Sequence, residues 1–258
     1  MKRETWRTWI LVGVVAMLGA GALAEQARER RRAPKPMMQI ERSETTSIER
    51  RCASGCVRLV LLKRQGAWEL TEPWFAPADA DKIEQLTAIA AAPLKQRWER
   101  EALIPADIGL EPPFASLKLG PRLIEFGDAV PGHQTRYVRV GSMLGLVQDR
   151  FSALLTGPPE SFVDPRPLAG VVPVSGSHLG QPMSAAALEG WRKLVARRID
   201  PLPQVFPGHN LEFRTANGKP IVVMFDLRGD EVALWRRDVR ALYIIDAAQF
   251  AALGGGGA

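Results

Sequence analysis

The hydrophobic pattern of the chain opens on its longest apolar stretch. Trp9 to Ala24 is a sixteen-residue uncharged run with charge on both sides. As a helix rising ~1.5 Å per residue it spans roughly 24 Å, a little short of a ~30 Å hydrocarbon core. Thr8 and snorkelling by Arg7 or Arg28 make up the difference. Beyond residue 50 the apolar runs become short. Val57–Leu62 reads as a buried strand, Gln65-Gly66 as a turn, and Trp68-Glu69-Leu70 as the start of a second strand, giving a hairpin closed by Pro73. Behind a cap at Asp79 or Asp81, Ile83, Leu86, Ile89 and Ala90 follow helical spacing, and Pro93 stops that helix.

Four short apolar stretches come next, at Phe114–Leu119, Leu123–Phe126, Arg136–Val140 and Met143–Val147, and then a short helix over Asp149–Leu155. The C-terminal third has the same rhythm. A helix over Ser184–Arg198 precedes stretches at Asn210–Arg214, Ile221–Phe225, Glu231–Trp235 and Ala241–Ile245, and a helix over Asp246–Leu253 closes the chain. Each copy therefore reads as helix, four-strand meander, helix. The expected class is α+β: an N-terminal membrane helix, then two repeats of a helix-flanked antiparallel four-strand meander. Alternation such as Leu117/Leu119 inward, with Arg136 and Arg139 outward around Tyr137, fits sheets with one wet face. Gly157–Gly180, rich in Pro and Gly, is expected to link the units. The boundaries predicted are 1–24 anchor or signal segment, 25–51 basic stalk, 52–168 first unit and 169–258 second unit.

Charge changes the picture only at the front. The 258-residue chain carries a net +6, yet residues 1–51 hold eleven Lys or Arg against six Glu, a net +5, which leaves +1 for everything after them. Basicity thus belongs to the tether, where Arg28, Arg30, Arg31 and Arg32 suit contact with anionic lipid, at ~1 kcal/mol per residue near the surface. A nucleic-acid partner would need the excess on a folded face, and none is expected. Ala22-Leu23-Ala24 also fits a signal-peptidase site, so an uncleaved anchor and a cleaved leader both stand. The count of basic residues beyond the run favours a cytoplasmic body; the short basic lead-in favours an exported one, and export is the orientation preferred. An exported body makes a disulfide the leading reading of the two cysteines, Cys52 and Cys56. The three residues between them are one too many for a thioredoxin-like motif.

The first unit also carries a family resemblance. Leu61 to Pro73 (Leu-Leu-Lys-Arg-Gln-Gly-Ala-Trp-Glu-Leu-Thr-Glu-Pro) and Pro77-Ala78-Asp79-Ala80 resemble the opening hairpin and helix start of a bacterial family called domain of unknown function 4340. Gly109-Leu110-Glu111-Pro112-Pro113, Ile124-Glu125-Phe126-Gly127 and Arg136-Tyr137-Val138 continue the likeness over about residues 57–168. Leu234 to Arg237 and Leu242-Tyr243-Ile244 extend it more loosely. The resemblance implies a membrane-anchored envelope protein, some relatives of which accompany ABC-type transport or gliding-motility components. It supplies no catalytic residue, and the cysteine pair is not part of it.

Candidate chemistry is sparse. His133 and His209 follow Pro-Gly and read as turn residues; with His178 they offer no convergent ligand set, so no metal site is expected. Ser175-Gly176-Ser177-His178-Leu179-Gly180 lacks the spacing of a nucleophile elbow and reads as linker. Asp164-Pro165-Arg166-Pro167 reads as a turn with a local ion pair. No catalytic residue and no cofactor are predicted. Trp74-Phe75, between Pro73 and Pro77, is the candidate partner contact, with a lid folded over the sheet as the rival reading. The expectation is a single-pass inner-membrane protein, its body periplasmic, that binds envelope or ABC-transporter-associated proteins without catalysis. A periplasmic binding protein released after Ala24 and an envelope hydrolase are the alternatives.

Overall fold

A computed structural model of the chain describes residues 36–39, 45–99, 103–202, 206, 208–236 and 238–255. Among them lie two antiparallel sheets, of nine and seven strands, with few and short helices. The class is α+β. The expected anchor, its cleavage site and Arg28, Arg30, Arg31 and Arg32 lie outside the described residues. Within these, no helix is long and apolar enough to cross a membrane.

The nine-stranded sheet begins with β1 (Ser47–Cys52), β2 (Leu59–Arg64), β3 (Ala67–Glu72) and β4 (Ala76–Pro77). Between β2 and β3 both Gln65 (φ 50°) and Gly66 (φ 86°) are left-handed, the tight hairpin turn whose twist matches that of the flanking strands. Helix α1 (Ala80–Ala88) follows. Asp79 caps it by accepting from the Asp81 and Lys82 amides, and Ile83 and Leu86 face the core. The chain then crosses to the far edge as β5 (Leu94–Glu99) and returns as the meander β6 (Ala115–Leu119), β7 (Arg122–Ala129), β8 (Thr135–Val140) and β9 (Met143–Gln148), ended by α2 (Ser152–Thr156). The strand order is β4-β3-β2-β1-β6-β7-β8-β9-β5.

The second sheet follows the same path. The hairpin β10 (Pro173–His178) and β11 (Gln181–Pro182) leads to α3 (Ala185–Lys193) and an edge strand β12 (Arg198–Asp200). The meander β13 (His209–Thr215), β14 (Pro220–Arg228), β15 (Glu231–Arg236) and β16 (Leu242–Asp246) then ends in α4 (Ala247–Phe250). Its order is β11-β10-β13-β14-β15-β16-β12. In both sheets the strand after the first helix pairs with the last strand of the meander, and the first strand of the sheet, β1 or β10, pairs with the meander's first. One apolar cluster runs through both. Ile48, Leu61, Leu117 and Phe126 pack with Leu86 of α1 on one side, and Phe213, Val223 and Tyr243 pack with Trp191 of α3 and Phe250 of α4 on the other.

Several boundaries differ from the sequence reading. The first unit starts before Cys52, because Ser47–Cys52 is a central strand bonded to both β2 and β6. Met37 and Met38, assigned to the stalk, are buried, held by bonds from their amides to the carbonyls of Ala92 and Ala90, both 2.9 Å. Gly157–Gly180 is not all linker, since β10 occupies its end and pairs with β13. Helix α3 stops at Lys193 rather than Arg198: Leu194 turns to extended backbone and Arg198–Asp200 is drawn onto β16.

Candidate functional site

A hollow of about 770 Å³ lies where the two sheets meet. Its first wall is built from β3 and the turns on either side, with Gly66, Trp68, Glu69, Phe75 and Pro77. The opposite wall is the β13–β14 turn, Thr215 to Lys219, with Ile221. The linker forms the floor through Asp164, Arg166 and Gly170–Val172, and Arg236 and Asp238 complete it from the end of β15.

The linker is stitched to both sheets. On the first side the Asp79 amide donates to the Phe162 carbonyl and the Asp164 amide to the Pro77 carbonyl, both at 2.9 Å. On the second side the Ala196 amide donates to the Pro165 carbonyl at 2.8 Å. Arg236, almost wholly buried, sends Nη1 to the carbonyls of Pro167 (3.2 Å) and Ala169 (2.7 Å), and Nε to Asp238 at 2.8 Å. Asp164, also buried, accepts from the Arg166 amide and Nε at 2.9 Å each and from Nη2 at 2.5 Å. That carboxylate raises the Arg166 guanidinium above its ordinary range, with Asp79 adding to the effect. Each charge in the floor thus has a fixed opposite partner.

Tyr243 lies near these pairs. Its hydroxyl is fully buried with no hydrogen-bond partner among the described residues. Burial pushes the phenol well above its usual value; Arg236 pulls it down, and Asp164 and Asp238 push it up. An orphan buried hydroxyl is costly and suits a bridging water or a ligand atom.

The predicted contact pair divides. Phe75 is 45% exposed and lines the hollow, as does Val172 at 73%. Trp74 is half-buried against the core, with its indole nitrogen unpartnered among the described residues. Trp68, expected as core, stands half-buried in the wall. The Asp164–Arg166 pair, expected as a local turn, sits in the floor. Arg236 and Asp238 were not singled out in the sequence; the signal was an arginine at a core-facing position of β15.

Cys52 and Cys56 form a disulfide, with Cα atoms 5.9 Å apart. Beside it Arg50 is fully buried in β1. Its Nη1 donates to the Gly157 carbonyl at 2.5 Å and Nη2 to the Val57 carbonyl at 2.8 Å, and the guanidinium lies over the Phe162 ring. Burial pushes its pKa down to about 10, which leaves it a cation at neutral pH. His178 and His209 both reach Phe225, at ring distances of 5.3 and 5.4 Å, and His133 is exposed in a turn. His209 begins β13 rather than lying in a turn. Among the described residues no three side chains able to hold a metal come together. Comparison with family models, curated proteins and solved structures finds no match for this chain.

Proposed function

We propose that this is a single-anchor envelope protein whose two-sheet body binds another envelope or transporter-associated protein in the hollow between the sheets. The observation that carries the binding reading is the make-up of that hollow. Phe75, Val172 and Trp68 offer apolar surface beside charges already paired as Asp164–Arg166 and Arg236–Asp238. Fixed, neutralised charges give register and orientation at little desolvation cost, while exposed apolar side chains provide the area that a partner covers. The anchor rests on the Trp9–Ala24 run and its basic flanks, and the envelope assignment on the resemblance to domain of unknown function 4340. The shared strand path of the two sheets supports reading them as two copies of one unit.

The test is a photoreactive amino acid at Phe75 in the full-length protein, cross-linked in cells of its source. A single protein partner captured at Phe75, and lost when Val172→Glu is added, is the expected result. Equal capture with a photoreactive group at exposed Lys118, on the body away from the hollow, would sink the reading.

A further inference from the structure

A second hollow, about 660 Å³, lies at the end of the nine-stranded sheet where the N-terminal segment joins the body. Met37, Met38, Val140 and Met143 give it apolar walls, and Arg97 of β5 and Arg122 of β7 stand at it. Both arginines are exposed, and among the described residues neither makes a hydrogen bond or ion pair. Their counterparts on the same sheet behave differently. Arg51 and Arg58 pair with Glu49, Arg136 with Asp149, and Arg139 with Glu125. Two guanidiniums unpaired among the described residues, beside an apolar wall, fit a group that is anionic at one end and greasy at the other.

The course of the chain says which. Pro36 lines this hollow, and eleven residues separate it from the end of the apolar run at Ala24. Fully extended at ~3.5 Å per residue, that connection reaches at most about 40 Å. It carries Arg28, Arg30, Arg31 and Arg32, which draw it toward an anionic surface. A body tethered so briefly presents this end to the bilayer more than any other.

We propose that the Arg97–Arg122 hollow binds the phosphate of an anionic phospholipid headgroup, with the methionine wall against its glycerol and upper acyl region. The proposal rests on the anchor reading of the previous section. It makes the body a lipid-docked domain with a set orientation rather than a globule swinging on a leash.

The experiment uses the full chain reconstituted in phosphatidylcholine vesicles containing a phosphatidylglycerol analogue with a photoreactive group near the headgroup, followed by peptide mapping. Cross-links are expected on residues 95–99, 120–123 and 140–143. Arg97→Gln with Arg122→Gln should reduce them by roughly 30-fold, the effect of two basic residues near an anionic surface. Lys at both positions should retain most of the signal, and an unchanged melting temperature of the Gln variant excludes misfolding. Cross-links confined to residues 9–24, or undiminished with a zwitterionic analogue, would overturn the headgroup site and leave the anchor standing. Release of the chain from the vesicles by alkaline carbonate would overturn the anchor, and the site with it. Loss of the signal in tens of millimolar inorganic phosphate, with no loss in sulfate of equal ionic strength, would assign the site to soluble phosphate and overturn the lipid source. Loss on adding a Glu-rich peptide alone would assign it to an acidic protein.

Discussion

Arg50 occupies a position in β1 where the alternation with Ile48 calls for an apolar side chain, and it is wholly buried without a carboxylate partner among the described residues. A buried cation persists where its donors are used. Here they close the carbonyls of Val57 and Gly157, tying the disulfide loop and the end of α2 to the central strand. Arg50→Ala should leave both acceptors unpaired and open a cavity, costing about 3 kcal/mol in denaturant unfolding. Arg50→Met refills the volume and removes the desolvation penalty, so it should cost less than the alanine variant. Asp149 gives a pH-dependent counterpart. Burial pushes its carboxyl up, but bonds from Ser152 and Arg136 outweigh that and hold it below its ordinary 3.8. A depressed carboxyl contributes stability that is complete above its unfolded value and lost as pH falls through the folded one. Acid titration of the melting temperature should therefore fall more steeply below 3.8 in the native protein than in Asp149→Asn; parallel curves would show that the pair contributes nothing.

At the scale of elements, the meanders and α1 were legible because their periods are strong. Ile83, Leu86 and Ile89 keep helical spacing, and β14 and β15 carry dense apolar residues bounded by Gly or Pro. Besides β10 in the supposed linker, the longer strands that pattern did not reveal include three charged ones: Ser-Ile-Glu-Arg-Arg-Cys in β1, Leu-Lys-Gln-Arg-Trp-Glu in β5 and Arg-Ile-Asp in β12. Two of these three are edge strands, recruited by an open ladder rather than by their own alternation. The buried strap was hidden for a related reason, since two methionines between prolines and glutamine carry no period at all. Met37→Ala with Met38→Ala should lower stability by about 4 kcal/mol if the strap is part of the core, and by little if it only trails past it. Reduction of Cys52–Cys56 closes a much smaller account, because a five-residue loop constrains the unfolded chain by only about 2 kcal/mol. A fall in melting temperature of several degrees on adding dithiothreitol is expected.

At the scale of the molecule, the hollow between the sheets could not be read from the chain, because its walls come from Trp68 and Thr215 and only folding brings them together. The turn chemistry of Asp164 to Pro167 was visible, while its neighbour Arg236 across the floor was not. Arg236 is the test of how the two sheets are joined. It reaches from β15 to two linker carbonyls, and that linker is bonded in turn to Pro77 of the first sheet and to Asp79, the cap of α1. Arg236→Ala removes those bonds from buried acceptors and should cost about 3 kcal/mol or more, whereas Arg166→Ala, at a solvent-facing guanidinium, should cost about 1 kcal/mol or less. The shape of the transition carries the larger inference. With one apolar cluster running through both sheets, calorimetry of the Arg236→Ala protein should show a single peak moved to lower temperature. Two resolved peaks would mean that the sheets fold as separate bodies held together mainly by this arginine, and the hollow between them would then have no fixed shape with which to recognise a partner.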